Sequence, residues 1–240
     1  MNVIEDYFDI LIKQIREVYQ KQNNEICNIA KMMSECMFQG GVVQLFGTYQ
    51  GMEFCNELNY RAGGIAYFHS YNLKDLLMRN IITNEEVYTT GEAYNKKDLV
   101  DEFERIYELD DRDMYCIISQ AGNEPLAIEI AKRAKEKNQK VVSIINKKTY
   151  DKNNGELLTY VDEYIDLGYD DPDYSVNVDG IKCGQTNTTV ANTIAQMLHA
   201  EIYRIFMEEK GEAPVLLSMN IKGADEHNAK LTDPYGRRIR

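Results

Sequence analysis

Glu57 and Arg61 stand one helical turn apart in ELNYR, about two turns downstream of a glycine-bounded turn at Gly47 to Gly51. A carboxylate held beside a guanidinium can move a proton between neighbouring carbons, which makes Glu57 a candidate general base. As a plain surface i,i+4 pair the two contribute only about 0.3–0.5 kcal/mol. The candidate acid is His227, in DEHN between Glu226 and Asn228, because a histidine in a polar setting suits proton transfer near neutral pH. His199 falls inside a long helical pattern and reads as structural, while His69 stands at a strand end.

Three turns carry small polar groups. The first, Gly47, Thr48, Tyr49, Gln50 and Gly51, offers one small hydroxyl, one ring and no cation. The second runs from Ser119 through Gln120, Ala121, Gly122 and Asn123 to Glu124, and the third, Gly184 to Thr189, holds Thr186, Thr188 and Thr189. A strand that runs into a helix leaves unpaired N–H groups and a positive helix end at the turn, where α/β proteins hold phosphates. Ser and Thr before a helix are also ordinary N-caps, so each turn alone is a weak signal. Together they describe a polar basin.

The elements that must position these groups follow from periodicity. Apolar residues at helical spacing, Val3 to Val18 and then Ile26 to Met37, predict a pair of amphipathic helices over residues 2–38, divided at the polar QKQNN. Short apolar runs follow, VVQLF, IAYF, MYCIIS and VVSII, with YIDLG as a fifth, separated by helix-like segments at 98–109 and 123–139. That alternation predicts an α/β fold with a parallel sheet covered on both faces. Residues 153–184 read as loops around the fifth run, 185–211 as a long helix closed by Gly211, and the polar end after 212, with Arg237, Arg238 and Arg240, as a solvated tail.

Composition narrows the partners. With 27 Lys and Arg against 39 Asp and Glu, the net charge of -12 gives no electrostatic reason to approach nucleic acid or an anionic membrane. The five cysteines form no CxxC pair, which argues against a zinc site or a disulfide framework and for a reducing cytoplasm; no metal or cofactor is expected. The acidic start MNVIEDYFD is not a secretory signal, and no apolar run is long enough to span a membrane. At 240 residues the chain is expected to form one domain.

Four stretches, GGVVQLFG leading to ELNYRAGG, SQAGNEPLAIEIAKRAKEKNQKVVSI, GQTNTTVANTIAQML, and NIKGADEHNAKL followed by GRRIR, resemble the SIS (sugar isomerase) domain family, in its branch of small stand-alone bacterial phosphosugar-binding proteins. The resemblance spans nearly the whole chain. It implies a three-layer αβα sandwich with a five-stranded parallel sheet of flavodoxin-like type, with a helical pair at 1–39, a core at 40–211 and a tail at 212–240. It also implies a homo-oligomer, dimer or tetramer, and an ordered tail that lines the ligand pocket of its own or a neighbouring subunit.

In that branch the first loop usually reads Gly-Cys-Gly-His-Ser-His and the second Ser-Asn-Ser-Gly-Arg-Asn-Pro. Here Gly51 replaces a serine, both histidines are absent, Ala121 replaces a second serine, and Asn123 followed by Glu124 replaces the arginine. The expected function is binding of a sugar phosphate or related carbohydrate derivative, extending to aldose–ketose isomerisation with Glu57 as base and His227 as acid. The alternative is a non-catalytic sugar-derivative sensor, and a third reading is a small polar substrate without phosphate. The altered loops lead us to expect that phosphate adds little affinity and that Gly51→Ser with Ala121→Ser would restore it.

Overall fold

The computed structural model describes residues 2–168 and 175–239, so Met1, 169–174 and Arg240 of the tail lie outside the described residues. The chain opens with one helix, α1 (Val3–Phe38), rather than the expected pair. QKQNN contains no Gly or Pro, and Gln and Lys are good helix formers, so this polar stretch continues the helix instead of breaking it, with Gln22 accepting the Asp166 N–H at 2.9 Å.

Five strands follow: β1 (Val43–Gly47), β2 (Phe68–Tyr71), β3 (Met114–Ile118), β4 (Val141–Ile145) and β5 (Glu163–Asp166). They form one parallel sheet in the order β2-β1-β3-β4-β5. Between them run α2 (Gly51–Leu58), α3 (Leu73–Met78), α4 (Leu99–Ile106), α5 (Pro125–Glu136) and α6 (Lys147–Lys152). A two-stranded hairpin, β6 (Val176–Val178) with β7 (Ile181–Cys183), leads into α7 (Asn187–Lys210), which Gly211 closes in the left-handed conformation. Among the described residues no helix is long and apolar enough to cross a membrane.

The two faces of the sheet bury separate cores. Val43, Leu45, Cys116 and Ile144 pack under α1, α2 and α7, whereas Phe46, Tyr115, Ile117 and Ile145 pack under α3, α4, α5 and α6. Strands buried on both faces read as unbroken apolar runs, which is why β1, β3 and β4 were visible in the sequence. The second run divides. Phe68 starts β2, but Ile65 pairs antiparallel with Val215 and the Ala66 N–H donates to the Pro214 carbonyl at 2.9 Å, so the chain after α7 extends this segment instead.

The tail is ordered in the chain's own fold. It forms α8 (Ala224–Thr232) and a tight turn to Arg238. Arg238 pairs with the buried Asp113 and donates to the Gly40 carbonyl at 3.1 Å. Gly40 and Asp113 precede β1 and β3, so the tail docks at the amino ends of the strands.

Val18 and Met33, on the apolar stripes of α1, are buried against this chain's own core, so replacing either by Asp would disturb the fold. Such variants report on folding, not on association.

Candidate site at the carboxyl ends of the strands

The first two turns meet. Thr48 follows β1 and its N–H donates to the Ile118 carbonyl at 2.9 Å, tying it to the end of β3. Its hydroxyl donates to Glu124 Oε1 at 3.2 Å, and the Ser119 hydroxyl donates to Glu124 Oε2 at 2.5 Å while accepting the Gly122 N–H at 2.8 Å. Gly122 has φ +62 and lies against Tyr150, which a side chain there would strike at 2.5 Å. Gln120 gives its carbonyl to the Asn146 N–H at 3.2 Å, Ala121 is half-buried, and Asn123 and Gln50 are exposed.

The roof over this cluster is aromatic. Tyr49 takes φ 47 and lays its ring on Tyr94, centroids 4.4 Å apart. Burial, reinforced by the nearby Glu124 carboxylate, raises the pKa of Tyr49 above that of a free phenol. Gly91 makes room, since a Cβ there would lie 3.1 Å from the Tyr49 ring.

Gly51 is required where it stands. A Cβ at this position would come within 2.7 Å of the Ile118 carbonyl oxygen, a backbone atom of the sheet, and one at Gly47 within 2.3 Å of Gly51. Gly51→Ser therefore cannot restore a phosphate-binding hydroxyl, contrary to the expectation from the loop sequence. The variant should lose about 1–3 kcal/mol of stability by overpacking, read as an earlier denaturant midpoint; an unchanged midpoint would contradict the packing described here.

The third turn lies at the same end. Thr186 is fully buried, and its hydroxyl meets that of Ser175 at 3.2 Å. Thr188 is half-buried, with its N–H donating to Asn187 Oδ1 at 2.7 Å. The amide nitrogen of Asn187 is buried without a partner, a free donor at the start of α7 that sequence reading missed.

Glu57 sits further down, in the seam between α2 and α7. It pairs with Arg61, as expected from the i,i+4 spacing, and accepts from Gln196 Nε2 at 2.6 Å, which the sequence did not reveal. Glu57 meets Gln196, and Gly63, beyond the end of α2, meets Tyr203 further along α7, so the chain from α2 onward follows α7 in the same direction. With 1.5 Å per residue, Glu57 is about 9 Å below Gly51 and Gln196 about 14 Å below Asn187. Below Gln196 the buried His199 has an unpaired Nε2, and burial with the Arg61 charge lowers its pKa to about 4.

His227 is not brought to the strand-end turns within the chain. Its Nε2 meets the Val215 carbonyl at 2.8 Å and Glu226 is exposed beside it, both on α8 at the amino ends of the strands. A strand length of about 16 Å separates that end from Thr48 and Ser119.

A second concavity runs along β2, the free edge of the sheet. This cleft of about 830 Å³ is lined by His69, Asn72, Asp75, Tyr107 and, from the tail, Arg237 and Ile239. The tail therefore lines this cleft at the sheet edge, away from the turns at the carboxyl ends. His69 Nδ1 meets Gln44 Oε1 at 2.7 Å, and Gln44 Nε2 donates to Asp113 Oδ2 at 2.9 Å, so Nδ1 carries the imidazole proton. Burial lowers the His69 pKa to about 4, against a smaller opposing pull from Asp75.

Comparison with known proteins agrees with this architecture. The profile described as the SIS domain matches residues 6–146. A UPF0309 protein of Caldanaerobacter subterraneus is 31% identical over 98% of this chain and 98% of its own length. One from Halalkalibacterium halodurans is 26% identical over 99% and 96%. Among solved structures, a phosphoheptose isomerase from Francisella tularensis superposes with a TM-score of 0.54 at 16% identity, covering 83% of this chain and 95% of that one. The phosphoheptose isomerase of Neisseria gonorrhoeae gives 0.52 at 15%, covering 84% and 96%.

Proposed function

The chain belongs to the SIS domain family, and from that premise we propose that it binds a carbohydrate derivative at the carboxyl ends of β1 and β3 and moves a proton on it with Glu57. One observation carries the reading: Glu57 is held by Arg61 on one side and Gln196 on the other, on the helix that starts at the strand-end hydroxyls and about 9 Å below its first residue. A carboxylate fixed by two donors keeps one orientation toward a substrate carbon, the requirement for transfer between neighbouring carbons of an aldose and a ketose. Its expected acid, His227, belongs to the reaction only if a second copy of the chain delivers it. Exposed Ile4, Phe8 and Tyr19 on α1 and Ile181 on the hairpin suit a homo-oligomer, and a monomer by light scattering at micromolar concentration would remove His227 from the reaction. The five unpaired cysteines fit a reducing cytoplasm.

The test is two-fold. A thermal-shift panel of sugars and sugar phosphates identifies a ligand, and solvent deuterium exchange at the carbon next to its carbonyl then reports proton abstraction. Glu57→Gln should leave the melting temperature nearly unchanged and slow exchange by about 10²–10⁴-fold. A second reading, a sensor that binds without turnover, is favoured by the position of His227. Stabilisation by the ligand with no exchange in the unaltered protein would select it.

A further inference from the structure

Glu124 is only 8% exposed and precedes Pro125 at the start of α5, yet it makes no capping bond. It reaches across to the β1–α2 turn and accepts both strand-end hydroxyls, Thr48 on Oε1 and Ser119 on Oε2. Four neighbouring backbone donors are also occupied. Thr48 N–H goes to Ile118, Gly51 N–H to Thr48 at 2.7 Å, Met52 N–H to Tyr49 at 3.2 Å, and Gly122 N–H to Ser119. A phosphate here would find both side-chain hydroxyls already engaged and a buried negative charge between them. Like charges at such separations repel strongly where water is excluded. Glu124 is itself nearly excluded from water, which leaves its charge little screened.

We infer that Glu124 is a built-in anion occupying the phosphate position of this site, and that it makes the site selective for sugar derivatives bearing no phosphate there, neutral sugars or amino sugars. Such ligands present O–H or N–H donors, which the remaining lone pairs of the carboxylate can accept. The exclusion of phosphate follows from the geometry of Glu124 alone, whereas the sugar body rests on the proposed function above. Carboxylate and hydroxyls also tie the two strand-end turns together, so a purely structural tie is the competing account, and it predicts no change in anion binding when the charge is removed.

The deciding experiment titrates the full chain and its Glu124→Gln and Glu124→Asn variants by calorimetry at fixed ionic strength, first with inorganic phosphate, then with glucose 6-phosphate and glucose. Gln keeps the size of the side chain and its hydrogen bonds, and Asn withdraws it by one carbon, so the two variants stress the fold differently. The variants should bind phosphate at least about tenfold more tightly than the unaltered protein, which should not prefer glucose 6-phosphate to glucose. Phosphate binding by the unaltered protein as tight as by the variants overturns the inference, and so does a folded variant that gains no phosphate affinity. Tight phosphate binding by the unaltered protein decides against it whatever the variants do. If phosphate behaves as expected but no member of a wider sugar panel binds any form, the carbohydrate reading fails and the assignment of Glu124 stands.

Discussion

Acidification from pH 6.5 to 4 should remove on the order of 6 kcal/mol of folding stability, about half through each of His69 and His199. Both are buried, at 5% and 3% exposure, and burial holds both near a pKa of about 4, against 6.5 for the free side chain. His199 is lowered further by Arg61, whereas Asp75 works against the shift at His69. A histidine with a depressed folded pKa binds its proton in the unfolded chain first. Between 6.5 and 4 the unfolded state therefore holds more protons, and stability falls as pH falls through that window. Above 6.5 both rings are neutral in both states, and the slope vanishes. Glu86, held down to about 2 by Lys96 and Thr83, acts in a lower window.

Urea unfolding at pH 7, 5.5 and 4 measures the effect. The variant His199→Leu should roughly halve the slope, because Nε2 of His199 has no partner to lose and the ring packs against those of Phe68 and Tyr203. An unaltered slope in this variant would mean that His199 does not stay neutral in the fold. A loss of the same size in typical domains exhausts most of the margin, so the protein should unfold before pH 4.

Arg238→Ala should cost about 3–5 kcal/mol, because it leaves the Asp113 carboxylate buried without its cation. Asp113 is 2% exposed and accepts from the Val42 N–H at 2.8 Å, the Asp110 N–H at 3.1 Å and Gln44 at 2.9 Å, which hold it in place and prevent it from turning to water. In a chain of this size the cost corresponds to roughly 6–20 °C in Tm. The neighbour Arg237 supplies the control. It is exposed and only 4.0 Å from an exposed Glu108, so Arg237→Ala should change stability by less than about 0.5 kcal/mol. Equal effects of the two variants would show that the tail is not clamped through Asp113. Deleting residues 223–240 should likewise destabilise the protein, through this clamp and the His227 contact with Val215.

These contacts explain which parts of the molecule could be read from the sequence. Strands β1, β3 and β4 declared themselves because each is buried on both faces, and Gly211 marked the end of α7 by its left-handed conformation. QKQNN misled because polarity alone does not break a helix that another helix supports along its length. The same holds for the tail, whose polar composition hides a helix and a buried ion pair. Among site residues, Arg61 was readable beside Glu57 because helix spacing is local, whereas Gln196 was not, since only the packing of α7 on α2 brings it there. Glu124 was visible as a misplaced charge. That it takes both hydroxyls for itself depends on the register of β1 against β3, which places Gly47 beside Ile118.

Methyl NMR during titration with a sugar that stabilises the protein is the most direct check on where the ligand binds. Ile118 lies under Gly51 at the carboxyl end of β3, while Ile106 and Ile239 line the cleft along β2. Binding at the proposed site should shift the Ile118 methyl signals and leave those of Ile106 and Ile239 in place. Shifts at Ile106 and Ile239 with Ile118 unmoved would put the ligand in the edge cleft beside His69 and contradict the assignment of the strand ends as the functional site.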